Sequence, residues 1–148
     1  MIESEDRKTL VPFDLSNILD QVPELKKLNV KLDSESFEKP IDSSDMQPKD
    51  WVRMAQIIER HYDRYDGFVI LHGSDTLAYS ASALSFMLEG LKKPVILTGS
   101  QLPIGMIRTD ARENLITAVE MAAMQENGAP VIQEVAIYFE YKLYRGNR

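Results

Sequence analysis

With 148 residues, 44% of them hydrophobic, the chain is long enough for one globular domain with a real core. A net charge of −6 argues against a nucleic-acid partner, which needs clustered Lys and Arg, and the lack of cysteine excludes disulfides, thiolate metal sites and cysteine nucleophiles. No apolar stretch reaches the ~20 residues of a membrane helix, and the acidic opening "MIESEDRK" is unlike a signal peptide, so the expectation is a soluble cytoplasmic protein with no membrane partner.

The first periodic stretch is "FDLSNILDQVPEL", where Leu15, Ile18, Leu19 and Val22 fall at helical spacing behind a candidate N-cap, Asp14. "VKLDSESFEKPIDSSDM" reads as a short strand and then a polar loop. Pro48 opens a helix in which Trp51, Met54, Ala55, Ile58 and Tyr62 keep the i, i+3, i+4 rhythm, and "YDG" at 65–67 ends it. "FVIL" at 68–71 is a continuous apolar run, the pattern of a strand covered on both faces. A helix follows from about Thr76 to Glu89, with Gly90 as its C-terminal cap, and then a second buried strand, Val95 to Leu97. The next helix runs over roughly 110–124, with Leu115, Ala118, Val119 and Ala122 inward and Asp110 and Glu113 at capping-box spacing. "EVAIYF" at 134–139 is the third strand, and the methionines at 87, 106, 121 and 124 read as gap-fillers. Strand alternating with helix predicts the α/β class: a parallel sheet with right-handed crossovers and helices on both faces.

In such sheets ligands bind beyond the carboxyl ends of the strands. That rule selects three corners: "HGSDT" after the first strand, "TGSQLP" after the second and "EYKLYRGNR" after the third. In "HGSDT", Gly73 is read as allowing a backbone turn closed to other residues. Ser74 and Asp75 suit a helix N-terminus, where a carboxylate or developing negative charge is favoured, but they read at least as readily as simple caps. His72 reads as a core or supporting imidazole, since no second His or Cys sits at metal-ligand spacing. Thr98, Ser100 and Gln101 either face a ligand or make an ordinary strand-to-loop turn. "DSSDM" at 42–46 is by itself a helix-leading polar loop. Neither dinucleotide nor phosphate-loop glycine patterns occur, which disfavours a dehydrogenase-like module. Spacing alone reaches a hydroxyl- and amide-rich pocket for a small polar ligand.

Four stretches go further in combination: "DSSDMQPKDW", "GFVILHGSDTL", "TGSQLP" and the closing "LYRGNR". In this order and spacing, from roughly residue 40 to the last residue, they make the chain resemble the bacterial L-asparaginase family, most closely its cytoplasmic type I branch. The resemblance implies hydrolysis of L-asparagine to L-aspartate and ammonia without cofactor or metal. It also implies that residues 1–148 form part of the N-terminal domain of a homodimer or homotetramer. Carried over by position, the family's substrate-gripping Asp-Ser-Ser falls on Asp42, Ser43 and Ser44, whose serine hydroxyl should hold the α-carboxylate. Its His-Gly-Thr-Asp-Thr falls on His72 to Thr76, with Ser74 in place of the usual threonine. That exchange keeps the hydroxyl and loses the methyl that restricts χ1. Asp75 would bind the substrate's α-amino group and support the proton relay, making Ser74 and Asp75 the implied catalytic residues.

The family's first motif, Thr-Gly-Gly-Thr-Ile-Gly, carries the usual nucleophilic threonine and is expected directly before Met1, together with the first strand of the sheet. The relay lysine is expected just past Arg148, with a second domain after it. By that resemblance these 148 residues alone would fold poorly and release no ammonia, because an unactivated hydroxyl is a weak nucleophile. The alternative reading is a catalytically inactive amino-acid-binding domain. Asparagine and glutamine differ by one methylene, which pocket shape separates only modestly.

Overall fold

The computed structural model of the chain describes residues 2–3, 10–11 and 18–148. Two short strands, β1 (Ile2–Glu3) and β2 (Leu10–Val11), pair antiparallel. Of the first expected helix, the described residues show one short stretch that stops at Gln21. Helix α1 spans Ile18–Gln21, then Val22 leaves helical geometry (φ −125°, ψ 72°) ahead of Pro23, and Pro23–Lys27 continues as a 3-10 turn. Asp14 and Leu15 lie outside the described residues. The strand expected in "VKL" does not form. Leu28, Val30 and Leu32 do turn inward at every second position, but the segment joins no ladder and packs on the core as a ribbon.

Helix α2 (Pro48–His61) starts at Pro48 as expected, its first turn closed by a capping box between Gln47 and Asp50. Strand β3 (Phe68–Leu71) follows, then a 3-10 turn Ser74–Thr76 that leads into α3 (Leu77–Met87). Strand β4 (Val95–Thr98), helix α4 (Ala111–Ala123) and strand β7 (Val135–Phe139) lie within a residue or two of their expected positions. Between α4 and β7 a small hairpin pairs β5 (Gln125–Glu126) with β6 (Ala129–Pro130) around Asn127 and Gly128, both at positive φ. Strand β8 (Lys142–Arg145) runs antiparallel to β7, so the sheet is mixed rather than wholly parallel, with the order β3-β4-β7-β8. The third corner is thus a two-residue hairpin turn, Glu140 and Tyr141 both at positive φ, and not an open ligand loop.

Parallel register aligns Phe68 with Val95 and Val95 with Val135, so alternate side chains fall on opposite faces. Val95, Leu97, Val135 and Ile137 pack under α2 and α3, through Met54, Ile58, Leu77, Ala81 and Leu84. Ile96, Ala136 and Tyr138 face α4 through Ala118 and Ala122, while Leu115 and Val119 of α4 meet Val22 and Leu25. The α/β class and the helices on both faces therefore stand. Strand β4 is fully buried, whereas all four residues of β3 are only partly so. Among the described residues β3 has a single neighbour, which leaves it at the sheet edge despite its apolar run. Met87, Met106 and Met124 are exposed, so of the four methionines read as fillers only Met121 packs on the core. Among the described residues no helix is long and apolar enough to cross a membrane.

Candidate active site

The carboxyl ends of β3 and β4 lie side by side, held there by His72 N–H donating to the Thr98 carbonyl at 2.9 Å. The "HGSDT" and "TGSQ" corners therefore open at the same end of the sheet. Gly99 is needed because the chain passes tightly there: a Cβ at that position would stand 2.3 Å from the His72 carbonyl oxygen. Thr98 is spent on structure, its hydroxyl donating to the Tyr138 carbonyl at 2.7 Å with the side chain buried. Gln101 is exposed and free to face a ligand.

Tertiary folding adds a third segment that chain order would not suggest. Ser43, 32 positions before Asp75, donates its hydroxyl to Asp75 Oδ2 at 3.3 Å. Thr76 donates to the Ser43 carbonyl at 2.7 Å, which docks the 3-10 turn Ser43–Asp45 onto the turn Ser74–Thr76. Asp42 caps the first of these turns. Its carboxylate accepts from the Ser44 N–H at 3.0 Å and the Ser44 hydroxyl at 2.9 Å. Ser43 is buried, whereas Asp42, Ser44 and Asp75 are exposed, so one carboxylate faces solvent beside a sheltered hydroxyl.

Gly73 has a different reason from the one its sequence context suggests. Its backbone (φ −68°, ψ 149°) suits any residue. What excludes a side chain is Ser43: a Cβ on Gly73 would lie 2.3 Å from Ser43 Oγ and 2.7 Å from Ser43 Cβ. The N-cap positions of this turn and of α3 fall on Gly73 and Thr76, and the Asp75 carboxylate turns to Ser43 instead, so the plain-cap reading is not what the turn displays. Nor do Asp110 and Glu113 form a capping box. Asp110 turns its carboxylate outward to accept from Gln101 N–H at 2.9 Å and Leu102 N–H at 3.1 Å, pinning the second corner to α4.

His72 is buried, as read. Its Nδ1 lies 2.7 Å from the Gly73 carbonyl and its Nε2 lies 2.7 Å from Ser80 Oγ, which also accepts from Trp51 Nε1 at 2.8 Å. Burial pushes the imidazole below its ordinary pKa, with the Gly73 carbonyl pulling the other way. Sequence reasoning missed Asn114 altogether. It is 2% exposed, donates to the Gly99 carbonyl at 2.9 Å and accepts from Glu140 N–H at 3.3 Å, tying the second corner to the β7–β8 hairpin. Its signal was an asparagine beside Leu115, on a face otherwise made of Ala, Leu and Val.

Beside the corner an open hollow of about 300 Å³ is lined by Ser74, Leu77, Ala78, Gln101, Phe139 and Arg148, among others. Ser74 thus borders this open hollow while Asp75, next to it, faces Ser43 and solvent. Among the described residues no three His, Cys, Asp or Glu side chains converge as a metal site. The arrangement offers one carboxylate for a cation, several hydroxyls for an anion and an amide beside them, which suits a small zwitterion.

The family model described as "Asparaginase, N-terminal" matches residues 1–148. L-asparaginase 1 of Escherichia coli (strain K12) is 57% identical over 108 residues, 73% of this chain and 30% of that protein. A 60 kDa lysophospholipase of Mus musculus is 56% identical over 107 residues, 72% of this chain and 18% of that protein. The crystal structure of L-asparaginase I from Vibrio cholerae superimposes with a TM-score of 0.83 at 44% identity, over 99% of this chain and 44% of that one. The chain spans less than half the length of these relatives.

Proposed function

The chain belongs to the asparaginase family, whose model matches all of residues 1–148, and from that premise we propose that it serves the hydrolysis of L-asparagine to L-aspartate and ammonia. Residues 1–148 act in this reading as part of the N-terminal domain of a cytoplasmic homo-oligomer, the setting implied by the type I resemblance. The observation that carries the reading is the contact between Ser43 Oγ and Asp75 Oδ2.

That contact defines an exchange. Without substrate, the Ser43 hydroxyl spends its proton on Asp75. An incoming α-ammonium pairs with the Asp75 carboxylate, an ion pair with both partners charged, in place of a 3.3 Å bond in which only the acceptor is charged. The freed Ser43 hydroxyl then donates to the substrate's α-carboxylate, one bond away from the ammonium carbon. Ser44 adds a second hydroxyl for the same carboxylate. Asp42 enters indirectly, because its grip on Ser44 N–H and O–H sets the turn that presents both serines. With both ends of the amino acid held, the side-chain amide is directed past Ser74, whose hydroxyl takes part in moving the proton between nucleophile and leaving ammonia. No metal or cofactor enters this scheme.

Asp75→Asn in the full-length polypeptide tests it, by steady-state ammonia release at millimolar L-asparagine. We expect kcat/KM to fall by about 100-fold or more, the scale of a lost electrostatic partner, with an unchanged melting midpoint. Near-normal turnover would reduce Asp75 to a turn residue. A wild-type protein that binds L-asparagine in calorimetry but releases no ammonia would instead establish an inactive binding domain.

A further inference from the structure

The buried chain of hydrogen bonds behind the corner has no part in the scheme above, yet it ends on the peptide that carries Ser74. A carbonyl only accepts, so the contact at 2.7 Å requires His72 Nδ1 to donate its proton to the Gly73 oxygen. In the neutral ring Nε2 is then an acceptor, the Ser80 hydroxyl donates to it at 2.7 Å, and Ser80 Oγ accepts from Trp51 Nε1–H at 2.8 Å. Each donor along this line meets one acceptor, and all of them point in one direction. Burial, which favours the uncharged imidazole, agrees with that assignment. The line also joins three elements: Trp51 on α2, Ser80 on α3, and His72 at the end of β3.

We propose that His72 is a positioning residue: it clamps the Gly73 carbonyl, and Trp51 and Ser80 clamp His72, so that the Ser74–Thr76 turn is held with Asp75 against Ser43. The proposal rests on the reading of Ser74 and Asp75 as substrate-facing. Its physical content is that the Gly73 peptide has two flanks. On one side Ser43 packs against the Gly73 Cα. On the other the imidazole holds the carbonyl oxygen. Losing the second clamp lets the peptide rotate and carries Asp75 away from a contact that is already long at 3.3 Å.

Two substitutions of the same residue separate this role from general core stability. In His72→Asn the amide nitrogen occupies the place of Nδ1 and can still donate to the Gly73 carbonyl, while the link to Ser80 is cut. In His72→Gln the amide reaches Ser80 and the Gly73 clamp is lost. Both leave a gap in a buried site, so a merely structural role predicts similar losses. In the full-length polypeptide, amide hydrogen exchange over residues 73–78 should accelerate at least tenfold in His72→Gln and less than threefold in His72→Asn. Ammonia release, assayed well below each melting midpoint, should show kcat/KM down about 50-fold in His72→Gln and within fivefold of wild type in His72→Asn. Equal exchange in the two variants overturns the proposal. If His72→Gln does not fold, the wild-type ring decides: its imidazole nitrogen shifts should show the neutral tautomer with Nδ1 protonated and Nε2 bare, and the opposite tautomer overturns the proposal. The exchange arm needs no catalysis, so a wild type that fails to hydrolyse L-asparagine would refute the functional reading while the clamp is still judged on exchange.

Discussion

Gly73→Ala is the most direct way to move one half of the site against the other. The backbone at Gly73 tolerates alanine, so no conformational strain is expected and the unfolded chain loses entropy, a gain of about 0.4–1 kcal/mol. The cost is steric. A new Cβ would lie 2.7 Å from Ser43 Cβ, about 1 Å inside the optimal separation of two carbons. Rotating the serine moves its Oγ but leaves its Cβ in place, so the Ser43–Asp45 turn itself must retreat by about 1 Å. Overpacking of this kind costs about 1–3 kcal/mol, leaving a net loss of about 1–2 kcal/mol, or about 2–8 °C in melting midpoint for a domain of this size. Function should suffer more. Ser43 to Asp75 is already a long hydrogen bond, and a 1 Å misplacement of a positioning group costs about 100-fold in rate. Ammonia release and thermal melts of the full-length polypeptide measure both effects. The double variant Gly73→Ala with Ser43→Gly should recover the midpoint, because the clash is gone, and should not recover the activity. A Gly73→Ala enzyme with wild-type kcat/KM would refute the pairing of Ser43 with Asp75 as a functional unit.

Ser74→Ala should lower kcat by about 100-fold if its hydroxyl serves the proton transfer, and Ser74→Thr should stay active, both read by ammonia release. A dead threonine variant beside a healthy alanine variant would show that Ser74 is not where the family's threonine belongs. Asn114→Ala should cost about 1–3 kcal/mol in a denaturant melt, because its buried side chain gives up bonds to the Gly99 carbonyl, the Asp110 carboxylate and the Glu140 N–H. For pH, the sign follows from His72: its folded pKa lies below the ordinary 6.5, so the unfolded chain takes up the proton first as pH falls. His72 therefore adds its full stability above about pH 6.5 and loses it progressively on acidification. The melting midpoint should drop less between pH 7.5 and 5.5 in His72→Asn than in wild type.

The parts of the fold that were legible are those where one period dominates. Helix α2 repeats its apolar residues through Trp51, Met54 and Ile58, and strands β3, β4 and β7 are short, unbroken apolar runs. Strand β8 was not legible, because "KLYR" is exposed at all four positions and so carries neither a buried run nor an alternation. The β5–β6 hairpin did have a local signal in Asn127-Gly128, a strong hairpin dipeptide. At the site, strand ends located two of the three corners through a rule about parallel sheets. They could not join Ser43 to Asp75, since nothing in the spacing of "DSSDM" says which strand end it will meet. Resemblance alone grouped those residues in advance.

The two corner glycines show how sequence and site are coupled more tightly than motif reading suggests. Neither is required by a left-handed backbone, the usual reason for glycine at a turn. Each is required because another segment passes within van der Waals reach: Ser43 at Gly73 and the His72 carbonyl at Gly99. Both contacts involve the residues 72–73, so the end of β3 is gripped from the "DSSDM" side and from the "TGSQ" side at once. The imidazole of His72 supplies a third grip on the Gly73 carbonyl. A turn gripped on three sides can hold an exposed carboxylate still, which an ordinary surface aspartate cannot do without losing side-chain entropy on each binding event. That rigidity is what a site for a small zwitterion needs, since a ligand of so few atoms has little contact area with which to order its own receptor. On the proposed function the glycines thus belong to the binding chemistry, although neither presents a functional group to the ligand.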